Sequence, residues 1–205
     1  NISRPTNIAF LDSGDILVLE KNTGLVKKIV NGTVNQNPVF DANVATFDTR
    51  GMVGIAIAKY QTIGKEYIFL YYTEAADGKG DAQDKCIDPS HCIPNHLPNG
   101  NRLYRFELSK DGSKLINKKL IFSWQPFIDA THNGGEMVVG PDNNIYLIVG
   151  SGEKGTVASN TKGSKVDARS GILAFDHNGN PAYKNGILGK KDSLVGLDIG
   201  SRSVK

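Results

Sequence analysis

Cysteine is nearly missing from this chain, with two residues among 205. Cys86 and Cys92 stand in KCIDPSHCIP with five residues between them. That spacing lacks the paired C-x2-C unit of structural zinc sites, although His91 and His96 flank Cys92 and keep zinc as the rival reading. A disulfide closing this loop is the expectation, and it favours an oxidising compartment. Long apolar runs are missing too. No stretch approaches the ~20 residues that cross a bilayer, so no transmembrane segment is expected. The N-terminus, NISRPTNIAFL, lacks the regions of a signal peptide, so an exported form is expected to have lost its signal. Charge of one sign is missing as well: 24 basic against 21 acidic residues leave a net +3. With no long Lys/Arg run, electrostatics gives no case for a nucleic-acid partner. Helical periodicity is the last absence, since no window carries a sustained apolar stripe at helical spacing.

What is present is a series of short β-type runs separated by turn chemistry. At 205 residues and 39% hydrophobic content, one domain or at most two, with a real core, are expected. NIAFL, DILVLEK and LVKKIV form a meander in residues 7–30, joined by Asp12-Ser13-Gly14 and Asn22-Thr23-Gly24. A second set comprises GMVGIAIAK (51–59), EYIFLYYTEA (66–75), NRLYRFELS (101–109) and KKLIFSW (118–124). A third starts at GEMVVG, continues with NIYLIVG and resumes at GILAFD (171–176). IAFLDSGDILVLE (8–20) and MVVGPDNNIYLIVG (137–150) share one plan: apolar strand, polar turn, apolar strand. Repeated antiparallel units predict a β-propeller with four-stranded blades of ~40–50 residues, room here for about four. A β-sandwich is the alternative.

Three sites invite a chemical reading. GSGEKG fits G-x-G-x-x-G at Gly150, Gly152 and Gly155, but TVASNTKGSK follows, with no apolar helical face to complete a dinucleotide-binding βαβ unit. The stretch is read as a loop between blade strands. The acidic loop DGKGDAQD (77–84) lacks the glutamate and spacing of a helix-flanked calcium loop and is read as solvated surface. The third is THNGG. His132 offers a side chain that can accept and return a proton near neutrality, and the glycines after it allow close backbone approach to a ligand. The competing reading is a hairpin-turn residue, because Asn133-Gly134 is a strong tight-turn signal. Asn1-Ile2-Ser3 and Asn31-Gly32-Thr33 match the N-glycosylation pattern, making Asn1 and Asn31 candidates that agree with export.

HNGGEMVVGPDNNIYLIVG (132–150) resembles the signature of the soluble quinoprotein glucose/sorbosone dehydrogenase family. RPTNIAFLDSGDILVLEKNTGLVKKIVNG (4–32), RGMVGIAIAKY with EYIFLYYTEA (50–75), and NRLYRFELSKDG (101–112) resemble other family segments in order and spacing. The resemblance implies an all-β, six-bladed propeller, normally longer than this chain. Residues 1–205 are then expected to form a partial propeller of roughly the first four blades, with C-terminal blades outside the sequence. It further implies pyrroloquinoline quinone (PQQ) and calcium as cofactors and a sugar substrate with a separate electron acceptor, while the cysteine loop and the glycosylation patterns set the expectation of a secreted, extracellular or periplasmic, location. The implied reaction oxidises an aldose at C1 to the lactone, with His132 as general base and hydride passing to the quinone. Arg50 stands where the family usually has glutamine, and Arg202, in IGSRS, resembles the arginine of a Gly-x-Arg-Asn element with Ser203 in place of asparagine. Both are candidate cofactor-binding residues, and no residue is assigned as a metal ligand. Two other functions compete: a non-catalytic extracellular propeller used for binding or surface assembly, and a calcium-dependent lactone hydrolase, which would need a channel carboxylate cluster.

Overall fold

Three antiparallel sheets follow one another along the chain in the computed structural model, which describes residues 1–76, 98–124, 130–152, 169 and 171–182. The first sheet runs β1 (Pro5–Phe10), β2 (Ile16–Glu20), β3 (Leu25–Val30) and β4 (Thr33–Val34), with β5 (Phe40–Asp41) also on β3. The second is a four-stranded meander of β6 (Met52–Tyr60), β7 (Lys65–Glu74), β8 (Gly100–Leu108) and β9 (Leu115–Ser123). The third holds β10 (Gly134–Val139), β11 (Ile145–Val149) and β12 (Gly171–Phe175). Its meander continues beyond β12: Pro181 bridges Phe175, and the Ala182 N–H donates to the Ala174 carbonyl at 3.1 Å.

Within the middle sheet β7 is buried on both faces, and its sequence shows why. Along β7, Ile68, Leu70 and Tyr72 enter a core shared with Leu17, Leu19 and Val26 of the first sheet. Tyr67, Phe69 and Tyr71 point the other way, into a core shared with Met137, Leu147 and Phe175 of the third. A two-residue side-chain period with apolar residues in both registers gives the uninterrupted run YIFLYY, as expected of a strand sandwiched between layers. Each such fully buried side chain contributes about 1.5–3 kcal/mol.

The echo between residues 8–20 and 137–150 is structural. Both stretches form the first two strands of a sheet, and both close with the same turn. The Leu11 N–H donates to the Asp15 carbonyl and the Gly14 N–H to the Leu11 carbonyl, each at 2.9 Å. The Gly140 N–H donates to the Asn144 carbonyl and the Asn143 N–H to the Gly140 carbonyl, again at 2.9 Å. The pattern returns at Asp176–Asn180. Its fourth residue is left-handed each time, with φ of 82° at Gly14, 62° at Asn143 and 91° at Gly179, a conformation that glycine and asparagine tolerate.

The first strands of the three sheets converge. The Thr6 hydroxyl donates to the Met52 carbonyl at 2.7 Å, and the Asn7 amide to Glu136 at 3.1 Å. A side chain at Gly54 would collide with the Gly135 carbonyl, so β6 and β10 approach backbone to backbone. Each of these inner strands carries a register shift just inside its start: between Pro5 and Ile8, between Met52 and Gly54, and between Gly134 and Met137. Such bulges re-aim the residues beside them, and they recur next to functional sites. All three lie at one end of the bundle of inner strands.

Candidate functional site

Basic side chains collect at this bulged end. Arg4 immediately precedes β1, Arg50 lies two residues before β6, and His132 two residues before β10. Lys21 joins the first two, since its N–H donates to the Arg4 carbonyl at 3.1 Å and its carbonyl accepts the Met52 N–H at 3.0 Å. The Lys21 ammonium reaches the Thr46 carbonyl and the Asn22 side chain, each at 3.3 Å. Burial and the nearby Arg4 charge hold its pKa below the usual lysine value. Arg50 is fully buried, at 0% exposure, the largest such side chain in the described structure.

His132 is exposed and left-handed, with φ 55°. A non-glycine residue in this conformation costs about 1–2 kcal/mol, so its surroundings must hold it there. Its carbonyl accepts the Gly152 N–H at 3.1 Å, and a side chain at Gly150 would run into that same carbonyl. The Ser151 hydroxyl lies 3.5 Å from the imidazole Nδ1. The GSG of residues 150–152 is thus a buttress for His132. It leads from β11 toward β12, and these strands pair antiparallel, which is incompatible with the parallel βαβ unit of a dinucleotide fold.

The next residue, Asn133, is only 1% exposed and fully engaged. Its amide nitrogen donates to the Ala130 carbonyl at 2.6 Å and to the Thr49 hydroxyl at 2.9 Å. Its amide oxygen accepts from the Asn101 amide at 3.0 Å, and its backbone carbonyl accepts the Tyr71 hydroxyl at 3.0 Å. Thr73 donates to the Asn101 amide oxygen at 2.6 Å, and Thr49 to the Ala130 carbonyl at 2.9 Å. Burial pushes the Tyr71 phenol far above its ordinary pKa, so it remains a donor. Through Thr49, the segment carrying Arg50 is tied to the turn carrying His132.

The two halves of the 132–150 stretch separate by role. His132 sits where β10 begins, whereas Gly140-Pro141-Asp142 lies beyond its far end, about 20 Å along the strand. There Asp142 accepts from Asn144 at 3.2 and 2.9 Å and from the Tyr146 hydroxyl at 2.8 Å, a self-contained turn. Arg202, Cys86 and Cys92, with His91 and His96, lie outside the described residues. Asn1 and Asn31 are exposed, and Asn31 tips the turn between β3 and β4. Among the described residues, no group of three or more His, Cys, Asp or Glu side chains could hold a metal ion. None of the described helices is long and apolar enough to cross a membrane.

The sequence model of the glucose/sorbosone dehydrogenases matches residues 2–199. The chain belongs to the glucose/sorbosone dehydrogenase family. Among solved structures, this family member is similar to the PQQ-bound aldose sugar dehydrogenase of Streptomyces coelicolor, at 22% identity and a TM-score of 0.67, over 93% of this chain and 49% of that one. A putative oxidoreductase (glucose dehydrogenase) of Thermus thermophilus aligns at 20% identity and 0.68, over 99% and 51%. The apo-form of the soluble aldose sugar dehydrogenase of Escherichia coli aligns at 17% and 0.60, over 94% and 50%. At these identities the likeness establishes the fold, an all-β propeller, and the chain spans about half the length of these structures. No curated protein matches the sequence significantly.

Proposed function

We propose that this chain supplies the first blades of a PQQ-dependent dehydrogenase that oxidises an aldose, or a related alcohol, at C1 to the lactone. One observation carries the reading: among the described residues a single exposed imidazole, His132, is presented from a braced left-handed turn at the end where three inner strands begin. The Ser151 hydroxyl beside Nδ1 steadies the ring. His132 takes the proton of the C1 hydroxyl, and the oxygen becomes alkoxide-like as the C1 hydride departs. When bound, the quinone supplies the electron sink for that hydride. Its carboxylates call for cations, and Arg4 and Lys21 at the same end fit that demand, with Arg202 as a further candidate, whereas the fully buried Arg50 serves only if the bound group reaches it. Calcium is implied by the family resemblance, and its ligands are not found as a cluster among the described residues. An electron acceptor must reoxidise the quinone. A secreted or periplasmic location accompanies the proposal, and the exposure of Asn31 accommodates a glycan.

A second reading is a non-catalytic propeller for extracellular binding, and the complete burial of Arg50, where the family usually has glutamine, favours it. The two separate when the full-length protein is reconstituted with the quinone and calcium and dye reduction by aldoses is followed. Turnover that falls about 10²–10⁴-fold in His132→Asn supports the base. Asparagine tolerates the left-handed backbone, so that loss reports chemistry. Failure to bind quinone or to turn over, or turnover indifferent to His132→Asn, overturns the dehydrogenase reading.

A further inference from the structure

We infer that Asn133 is a positioning residue for His132, and that the buried chain Thr73–Asn101–Asn133 with Thr49 and Tyr71 fixes where the imidazole points. The inference rests on the reading of His132 as the base, but its geometry stands by itself. Every bond in the chain has an assigned direction. The Ala130 carbonyl can only accept, so the Asn133 nitrogen must face it, which turns the Asn133 oxygen toward the Asn101 nitrogen. The Asn101 oxygen then faces the Thr73 hydroxyl. Both N–H groups of the Asn133 amide are used, and its backbone carbonyl is capped by Tyr71.

The anchors come from the second sheet and the residue they hold from the third. Tyr71 and Thr73 are on β7 and Asn101 on β8, Thr49 is in the segment before β6, and Asn133 itself leads into β10. The network therefore pins the third sheet to the second at the residue adjoining His132. It also supplies the hold that a left-handed histidine needs. The carbonyls of Ala130, His132 and Asn133 each accept a bond, from Thr49 and Asn133, Gly152 and Tyr71 respectively. Water has no need to enter the turn, and φ at His132 has little room to relax. A base displaced by about 1 Å from its substrate proton can lose about a hundredfold in rate. A buried amide is a stiffer support than the exposed hydroxyl of Ser151 at 3.5 Å.

Two variants test this in the full-length protein. Asn133→Ala removes the hub, and Tyr71→Phe removes one bond while its ring keeps its place against Trp124. In the quinone-loaded enzyme both are expected to lower kcat, by about tenfold to a hundredfold for Asn133→Ala, with KM for the sugar within about twofold. In the unloaded protein, the backbone coupling and carbon shifts of His132 are expected to leave their left-handed values in Asn133→Ala, and to broaden in Tyr71→Phe. Should Asn133→Ala fail to fold, Tyr71→Phe and Thr49→Val carry both measurements. Unchanged kcat together with an unchanged left-handed His132 overturns the inference. A wild-type protein without dehydrogenase turnover sinks the proposed function instead, and the backbone measurement still decides whether Asn133 holds His132.

Discussion

Gly54→Ala tests the convergence of the inner strands most directly. Gly54 has no left-handed φ, so alanine there meets no backbone strain. If the site were open, the substitution would stabilise the protein by about 0.4–1 kcal/mol, because alanine restricts the unfolded chain more than glycine does. The structure reverses that sign. The added carbon would collide with the Gly135 carbonyl and sit 3.1 Å from the Tyr71 Cβ, both on rigid strands. Overpacking costs about 1–3 kcal/mol, and a backbone obstacle places this case at the upper end. After the entropic offset, a net loss of about 2 kcal/mol is expected. With an m-value near 2 kcal/mol/M, the urea midpoint should fall by about 1 M. The assay is urea unfolding followed by fluorescence of Trp124, the sole tryptophan, which is buried with its ring 5.9 Å from that of Tyr71. Gly140→Ala is the comparison, because the nearest atoms to its new carbon belong to the side chains of Tyr146 and Asp142 in a surface turn, where Gly54 faces strand backbone. A Gly54→Ala midpoint equal to or above wild type would refute the backbone contact between β6 and β10.

Two pH predictions accompany it. Burial, then the charge of Asp176, pushes the Tyr60 phenol up to about 12, and burial drives Tyr71, Tyr72 and Tyr104 higher still. Because the folded state favours the neutral phenols, their stabilisation is complete below pH ~10 and is lost as pH rises above it. Ultraviolet titration should show these four phenolates appearing only with alkaline unfolding, and their ionisation near pH 10 in the folded protein would contradict their burial. Glu20, 1% exposed, opposes its own desolvation with bonds from Thr23 at 2.6 Å and the Ser3 N–H at 2.8 Å and with Lys27 at 3.0 Å, so its pKa lies below the usual glutamate value. That stability is present above the ordinary glutamate pKa and is lost as pH falls through the depressed one. Glu20→Gln should cost about 1–3 kcal/mol at pH 7 and flatten the acid limb of the stability curve. A thermal-melt series with an unchanged limb would show that Glu20 is not held there.

The strands were legible because burial writes itself as local alternation. YIFLYY and the turn residues of DSGD and PDNN carry their structure within a few positions. The start of β9 was not, since the exposed run after Leu115, Ile116 to Leu120 with two lysines, disguises an edge strand whose first residue is core. The site divides in the same way. THNGG set a proton acceptor beside two glycines, although Gly134 opens β10 instead of a tight hairpin turn, and the family likeness gave His132 a role. Asn133 was hidden, because its partners Asn101, Tyr71 and Thr49 lie 32, 62 and 84 residues away. No local spacing encodes such a network, and an asparagine before glycine reads in sequence as a turn signal and nothing more. Arg50 reads from the sequence as a candidate cofactor contact, and its complete burial is a property only the fold could supply.

The hairpin turns Leu11–Asp15 and Gly140–Asn144 lie at the far ends of β1 and β10 from His132, closed by their own short-range bonds. That polarity makes them handles. A fluorophore or an affinity tag fixed to Ser13 or Pro141, both exposed, would ride a whole strand's length from the imidazole, and would orient every molecule with its His132 end toward solution.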